Sequence, residues 1–266
     1  MIFYSEFQSI YLILPLIGFV IGLFGTMMGG GGGFFFLPVL TLIIGAPSQV
    51  AVATSLSATL PICIVGTLSH YRRGNVDLKT GRLFIFAGIF GALAGTALTK
   101  LLTSGQLKTT FGIYVILVAI NVAISTWRKK HSETNGKPLK SLTKLKRIGR
   151  GSFFGFFAGA IAGTFGTSGT APVMAGLFSM RLPIKIVVGT SLLVVLMNAI
   201  VAVSAHFVVG QIDLTLVGFL TAGSVLGAII GTIWFSRAKL ERAENNIRYV
   251  FVLVMIIIGV LMITSR

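Results

Sequence analysis

Two places in this 266-residue chain set flexible or hydroxylated residues between apolar stretches. The first is Gly29, Gly30, Gly31, Gly32 and Gly33; the second is Gly166, Thr167, Ser168, Gly169 and Thr170. A helix interrupted at either place leaves backbone N–H groups without carbonyl partners, and lipid cannot satisfy them. Such groups, at the positive end of a half-helix, suit an oxyanion. Two further polar pairs, Thr54-Ser55 and Thr190-Ser191, lie one to two turns into the apolar runs that follow, and their hydroxyls would complete an anion shell. Asn198 has no polar counterpart, and reads either as a substrate donor or as a link between helices. His70 and His206 close their apolar runs, with Asp77 and Asp213 seven residues on. We read each His and its Asp as a helix C-terminal cap, with proton coupling as the alternative.

Other chemistries find no residues to carry them. All six carboxylates lie at or beyond the ends of apolar runs, so none is placed as an intramembrane cation or metal ligand. The single cysteine, Cys63, excludes an internal disulfide and a multi-thiolate metal site. No Gly-Lys-Ser/Thr follows the glycine run, which removes a phosphate-binding loop. The expectation is a protein without metal or cofactor that is not an enzyme.

The elements that position these residues follow from composition. Hydrophobic residues make up 55% of the chain and charged residues 11%, against about a quarter charged in soluble domains. Apolar runs fall at 10–28, 34–45, 48–70, 83–100, 109–126, 151–166, 170–180, 184–206, 214–235 and 246–264. Most approach the roughly 20 residues that cross a bilayer; 34–45 and 170–180 are too short. This predicts an all-α polytopic membrane protein. A net charge of +16 would suggest nucleic acid in a soluble protein, but here the basic residues sit in loops, so no nucleic-acid partner is expected.

The chain also repeats itself. A shift of 136 residues superposes Pro47 on Pro183, Thr54 on Thr190, Ser55 on Ser191, His70 on His206 and Asp77 on Asp213; a shift of 137 superposes Gly29 on Gly166 and Gly32 on Gly169. Each half then holds a Gly-interrupted helix–loop–half-helix and three spanning helices, an odd number of crossings, so the halves are read as inverted-topology repeats. Loop charge agrees. All Lys and Arg except Lys100, Lys108 and Arg266 fall in loops 71–82, 127–150, 181–185 and 236–248, which places those loops in the cytoplasm and both termini outside. The expected organisation is a first transmembrane repeat at 1–126, a basic cytoplasmic linker at 127–150 and a second repeat at 151–266. The linker reads as an orientation determinant that can also contact anionic lipid. Interrupted helices at matching places in two halves point to a transporter binding site. Gly91/Gly95 and Gly227/Gly231, spaced small-xxx-small, read as helix-packing positions.

Several motifs resemble the TauE/SafE sulfite exporter family of membrane permeases. They are Gly18, Gly22, Gly25 and Gly29–Gly33 with Pro38, then Ala51–Ser55, then His70–Asp77, and in the second half Gly189–Leu192 and His206–Asp213. The resemblance covers nearly the whole chain except the linker. It implies a secondary transporter, an exporter of sulfite or small organosulfur anions, in a bacterial-type inner membrane, with the site between the two breaks. Thr167-Ser168 stand where the first half has glycines, a departure that bears on substrate identity. Its partners would be a small anion and the lipid bilayer, with a homo-oligomer allowed. The rival reading is a non-transporting membrane partner or assembly subunit.

Overall fold

Prolines and an aspartate, as much as the apolar runs, set where the helices begin. The computed structural model describes residues 2–132, 143–237 and 244–265. Its helices are α1 (Leu14–Met27), α2 (Gly33–Pro38), α3 (Ser48–Arg72), α4 (Leu78–Leu101), α5 (Ser104–Ser132), α6 (Lys144–Phe165), α7 (Thr170–Ser179), α8 (Ile184–Val209), α9 (Leu214–Arg237) and α10 (Glu244–Thr264). A 3-10 turn over Ser9–Ile13 leads into α1, and a π turn over Val39–Ile43 continues α2. Pro47 and Pro183 take extended backbone immediately before α3 and α8, as a residue lacking an N–H does at a helix entrance. Asp77 accepts from the Thr80 amide at 3.0 Å and starts α4 five residues before its apolar run. Likewise α5 and α6 run into both ends of the polar stretch 127–150, because backbone hydrogen bonding carries a helix beyond the hydrocarbon-facing residues. Residues 133–142, on which the expected lipid contact partly falls, lie outside the described residues.

Among the described residues, six helices are long and apolar enough to cross a membrane: Ser9–Met27, Ser48–Arg72, Leu78–Leu101, Ser104–Thr126, Ile184–Val208 and Leu214–Trp234. The protein is an all-α polytopic membrane protein. Its one strand pairing among the described residues joins β1 (Ile2–Phe3) in parallel to β2 (Ile212–Asp213), fastening the approach to α1 beside the start of α9.

The helices pack in matched sets. α1 lies along α9 and α6 along α4; α3 packs on α9 and α8 on α4; α3 and α8 meet each other in the centre, and α5 meets α10 at the side. Exchanging the two halves turns the first four pairings into one another and returns the α3–α8 and α5–α10 contacts to themselves. Glycines make the long seams possible. A Cβ on Gly91 would stand 2.8 Å from the Ala160 amide nitrogen, and one on Gly227 would stand 2.9 Å from that of Leu23. With backbone against backbone, neither side can yield.

The two broken units are hairpins with mouths at opposite ends. The Ser48 hydroxyl donates to the Ser104 carbonyl at 3.2 Å, and Thr54 meets Asp213, whose carboxylate also takes the Ser5 amide. The approach to α1 and the start of α3 therefore share one end, so α1–α2 enters and returns. At the other end, Arg147 in the first turn of α6 pairs with Asp77, and Arg150 donates to the Ser179 carbonyl that closes α7. There α6–α7 enters and returns.

Replacing Gly91 or Gly227 by Ala should cost about 1–3 kcal/mol through overpacking against backbone. The readout is a thermal melt of the purified protein in detergent, with each variant melting several degrees below wild type.

Candidate functional site

Each break is a short left-handed excursion that only glycine enters without strain. Gly29, Gly31 and Gly32 have φ of +71°, +61° and +79°, and Gly166 and Gly169 have +65° and +56°. The amides of Gly30 and Gly31 both donate to the Gly25 carbonyl, at 2.8 and 3.2 Å, and the Gly166 amide donates to the Ala162 carbonyl at 3.0 Å. These bonds close α1 and α6, so the upstream amides of the glycine run are spent on helix termination. Amides at the start of the returning helices, Gly33 and Phe34 in one and Thr170 and Ala171 in the other, have no intrahelical carbonyl to meet.

Those two helix starts come together. A Cβ on Gly33 would stand 2.7 Å from the Ser168 amide nitrogen and 3.2 Å from the Thr167 Cα, and one on Gly30 would stand 2.7 Å from the Thr170 hydroxyl. The Thr170 hydroxyl donates to the Gly30 carbonyl at 3.3 Å and shares a 2.6 Å hydrogen bond with Ser168. Two positive helix ends thus abut in the buried interior. That arrangement is repulsive unless something negative lies between them.

The four duplicated hydroxyls have other employment. Ser55 of α3 donates to the Gly166 carbonyl at 2.6 Å, and Ser191 of α8 donates to the Gly29 carbonyl at 2.8 Å. Each hydroxyl satisfies a break carbonyl belonging to the other half. Thr54 accepts from the Asp213 amide at 3.1 Å and Thr190 from the Asp77 amide at 2.9 Å, again across the halves. In this structure all four join the halves together.

The expected His–Asp caps do not form. The carboxylate of Asp77 caps α4, taking the Thr80 amide and hydroxyl and the Arg147 guanidinium. That of Asp213 caps α9, taking the Thr215 and Leu216 amides at 3.0 and 3.3 Å. An acid's affinity for the next helix's free amides outweighs any pairing with a histidine behind it. His206 instead meets the Gly163 carbonyl at 2.8 Å through Nε2, and His70 is equally buried. Burial would raise the Asp77 carboxyl, but hydrogen bonds from Thr80 and the charge of Arg147 prevail and hold it below its usual 3.8.

Two fully buried side chains near the breaks have polar atoms without hydrogen-bond partners among the described residues: the Thr167 hydroxyl and both amide atoms of Asn198. Asn198 projects at Gly88 of α4, where a Cβ would stand 3.0 Å from its Cγ. An aromatic stack also touches both breaks, and no motif in the sequence marks it. The Tyr114 ring of α5 lies between Phe34, 6.0 Å away and 13° from parallel, and Phe165, 5.7 Å away and 14° from parallel. The legible part of that signal was an aromatic residue at the inner edge of each break.

A multi-helix membrane bundle that buries two unpaired helix starts against each other has the architecture of a transporter. The chain belongs to the sulfite exporter TauE/SafE family, whose profile, described as "Sulfite exporter TauE/SafE", matches residues 14–262. It is similar to the "Probable membrane transporter protein YdhB" of Bacillus subtilis, at 28% identity over 83% of this chain and 88% of that one. It is also similar to the "Probable membrane transporter protein MJ0441" of Methanocaldococcus jannaschii, at 28% identity over 100% of this chain and 88% of that one. A "Probable membrane transporter protein" of Xylella fastidiosa (strain 9a5c) is 24% identical over 93% of this chain and 91% of its own length. No solved structure matches. The protein is a membrane transporter.

Two outcomes follow from these bonds. Ser55→Ala and Ser191→Ala should each leave a buried carbonyl unpaired, at about 1–3 kcal/mol, and should lower the melting temperature by similar amounts. Asp77, ionised more readily folded than unfolded, contributes stability that is present above pH 3.8 and lost as pH falls through its lower folded value. Asp77→Asn should remove that part of the melting temperature's acid dependence, measured by melts from neutral pH down to about pH 3.

Proposed function

We propose that this transporter is a secondary exporter of sulfite or a small sulfonate, bound between the two breaks and moved by alternating access. The observation that carries the reading is the meeting of the α2 and α7 starts in the protein interior, with Gly33 against Ser168. Two convergent sets of amide donors favour an anion over a cation. The family profile's description supplies the sulfur oxyanion. Around it the donors would be the Gly33, Phe34, Thr170 and Ala171 amides and the Thr167, Ser168 and Asn198 side chains.

Alternating access fits two repeats of inverted topology. Support comes from the matched helix contacts and from hairpin mouths at opposite ends. The orientation proposed puts the basic end in the cytoplasm of a plasma membrane. There Arg73 donates to the Thr232 carbonyl at 2.6 Å, and Arg147 and Arg150 make the bonds already described.

The test is an anion panel. Sulfite and 2-hydroxyethanesulfonate should raise the melting temperature of the detergent-purified protein as binding to the folded state requires, and chloride should not. Ser168→Asp should abolish that stabilisation while still purifying as a folded protein. Wild-type vesicles that carry no sulfite flux would overturn sulfite as the cargo. Normal sulfite transport by Ser168→Asp would move the site elsewhere. For orientation, reporters inserted at residues 105 and 137 should read outside and inside; the reverse result would overturn the assignment.

A further inference from the structure

We infer that the hydroxyls of Tyr114 and Thr167 donate to the bound anion. This rests on the reading of the breaks as an oxyanion site and adds to it the residues that orient the ligand.

Polar groups near the breaks differ in whether they find partners inside the protein. Those that recur in both halves, Thr54 with Thr190 and Ser55 with Ser191, all have partners inside the protein. Tyr114 and Thr167 do not recur. At the register that aligns Gly29 with Gly166, Thr167 corresponds to Gly30. The 136-residue shift that superposes the halves sets the apolar Val250 opposite Tyr114. Both hydroxyls are buried, and neither has a hydrogen-bond partner among the described residues. A buried tyrosine or threonine hydroxyl normally finds a partner, since leaving it unpaired is costly.

Their placement says what the partner is. Phe34 and Phe165 grip the Tyr114 ring, so its hydroxyl is fixed relative to both breaks. Phe34 directly follows Gly33, and the Thr167 Cα is 3.2 Å from the Cβ position of that glycine. The Thr167 hydroxyl thus lies within the second break, and the Tyr114 ring is held against both breaks. A ligand that pairs both is an acceptor-rich oxyanion.

The test compares Tyr114→Phe, which keeps the stacked ring, and Thr167→Val with wild type. The full-length protein in detergent is titrated with sodium sulfite and melted without it. Removing an unpaired hydroxyl should leave the ligand-free melting temperature unchanged or raise it, while each variant loses about 10- to 100-fold in sulfite affinity, as for a bond to a charged acceptor. Thr221→Val removes another unpartnered buried hydroxyl, on α9 in the turn after Leu220, and should keep wild-type affinity. If wild type binds sulfite and both variants bind it equally well, the pair is no donor and the inference falls while the site reading stands. If affinity and melting temperature fall together, the hydroxyls serve the scaffold, and the inference falls again. If wild type binds neither sulfite nor 2-hydroxyethanesulfonate, the oxyanion reading fails and takes the inference with it.

Discussion

Everything in this architecture answers to one constraint: a helix broken inside an apolar bundle must still find partners for its backbone. The answer is reciprocal. A serine of α3 takes the break carbonyl at Gly166, and a serine of α8 takes the one at Gly29. For those bonds to form, α3 must lie beside the second break and α8 beside the first, which brings the two helices together in the centre. Once they are central, the glycine-lined seams of α1 with α9 and α4 with α6 close around them. The threonines one residue earlier extend the arrangement, each accepting the amide of an aspartate that starts a helix of the opposite half.

Satisfaction is incomplete, and the remainder is informative. Left-handed glycines let each upstream helix consume the first amides of its break in its own termination. The starts of the two short helices are left over, together with a few side chains buried without partners. Stability would favour apolar residues at those positions.

Much of this was readable from the residues, and the unreadable part has a physical reason. The breaks, the duplication and the membrane-spanning class are visible because glycine runs, self-similarity and long apolar segments are properties of the chain itself. Thr54, Ser55, Thr190 and Ser191 were correctly singled out as duplicated, but their partners lie 159, 111, 113 and 162 residues away and belong to the other half. A hydroxyl in a membrane helix looks the same whether it awaits an anion or a carbonyl. Asp77 and Asp213 were set with the histidines behind them because sequence proximity suggested it, whereas the unpaired amides ahead were the stronger attraction. Tyr114 carried no signal at all, since its importance comes from two phenylalanines that the fold alone brings to its faces.

The crossed seams also govern how the protein is made. Gly18 and Gly22 of α1 pack on Leu220 and Ser224, residues synthesised some 200 positions later, and Gly91 and Gly95 of α4 wait for Phe156 and Ala160 of α6. No helix of the first half can bury its glycine face until the second half has been inserted. The early helices must therefore reside in the bilayer, or beside the insertion machinery, as separate and loosely associated spans during much of translation. The α4 seam can close once α6 is made, but that of α1 stays open until α9 arrives, so assembly ends with the joining of distant segments. A ribosome that stalls before residue 214 would leave α4 seated on α6 and α3 against α8, with the glycine face of α1 still open.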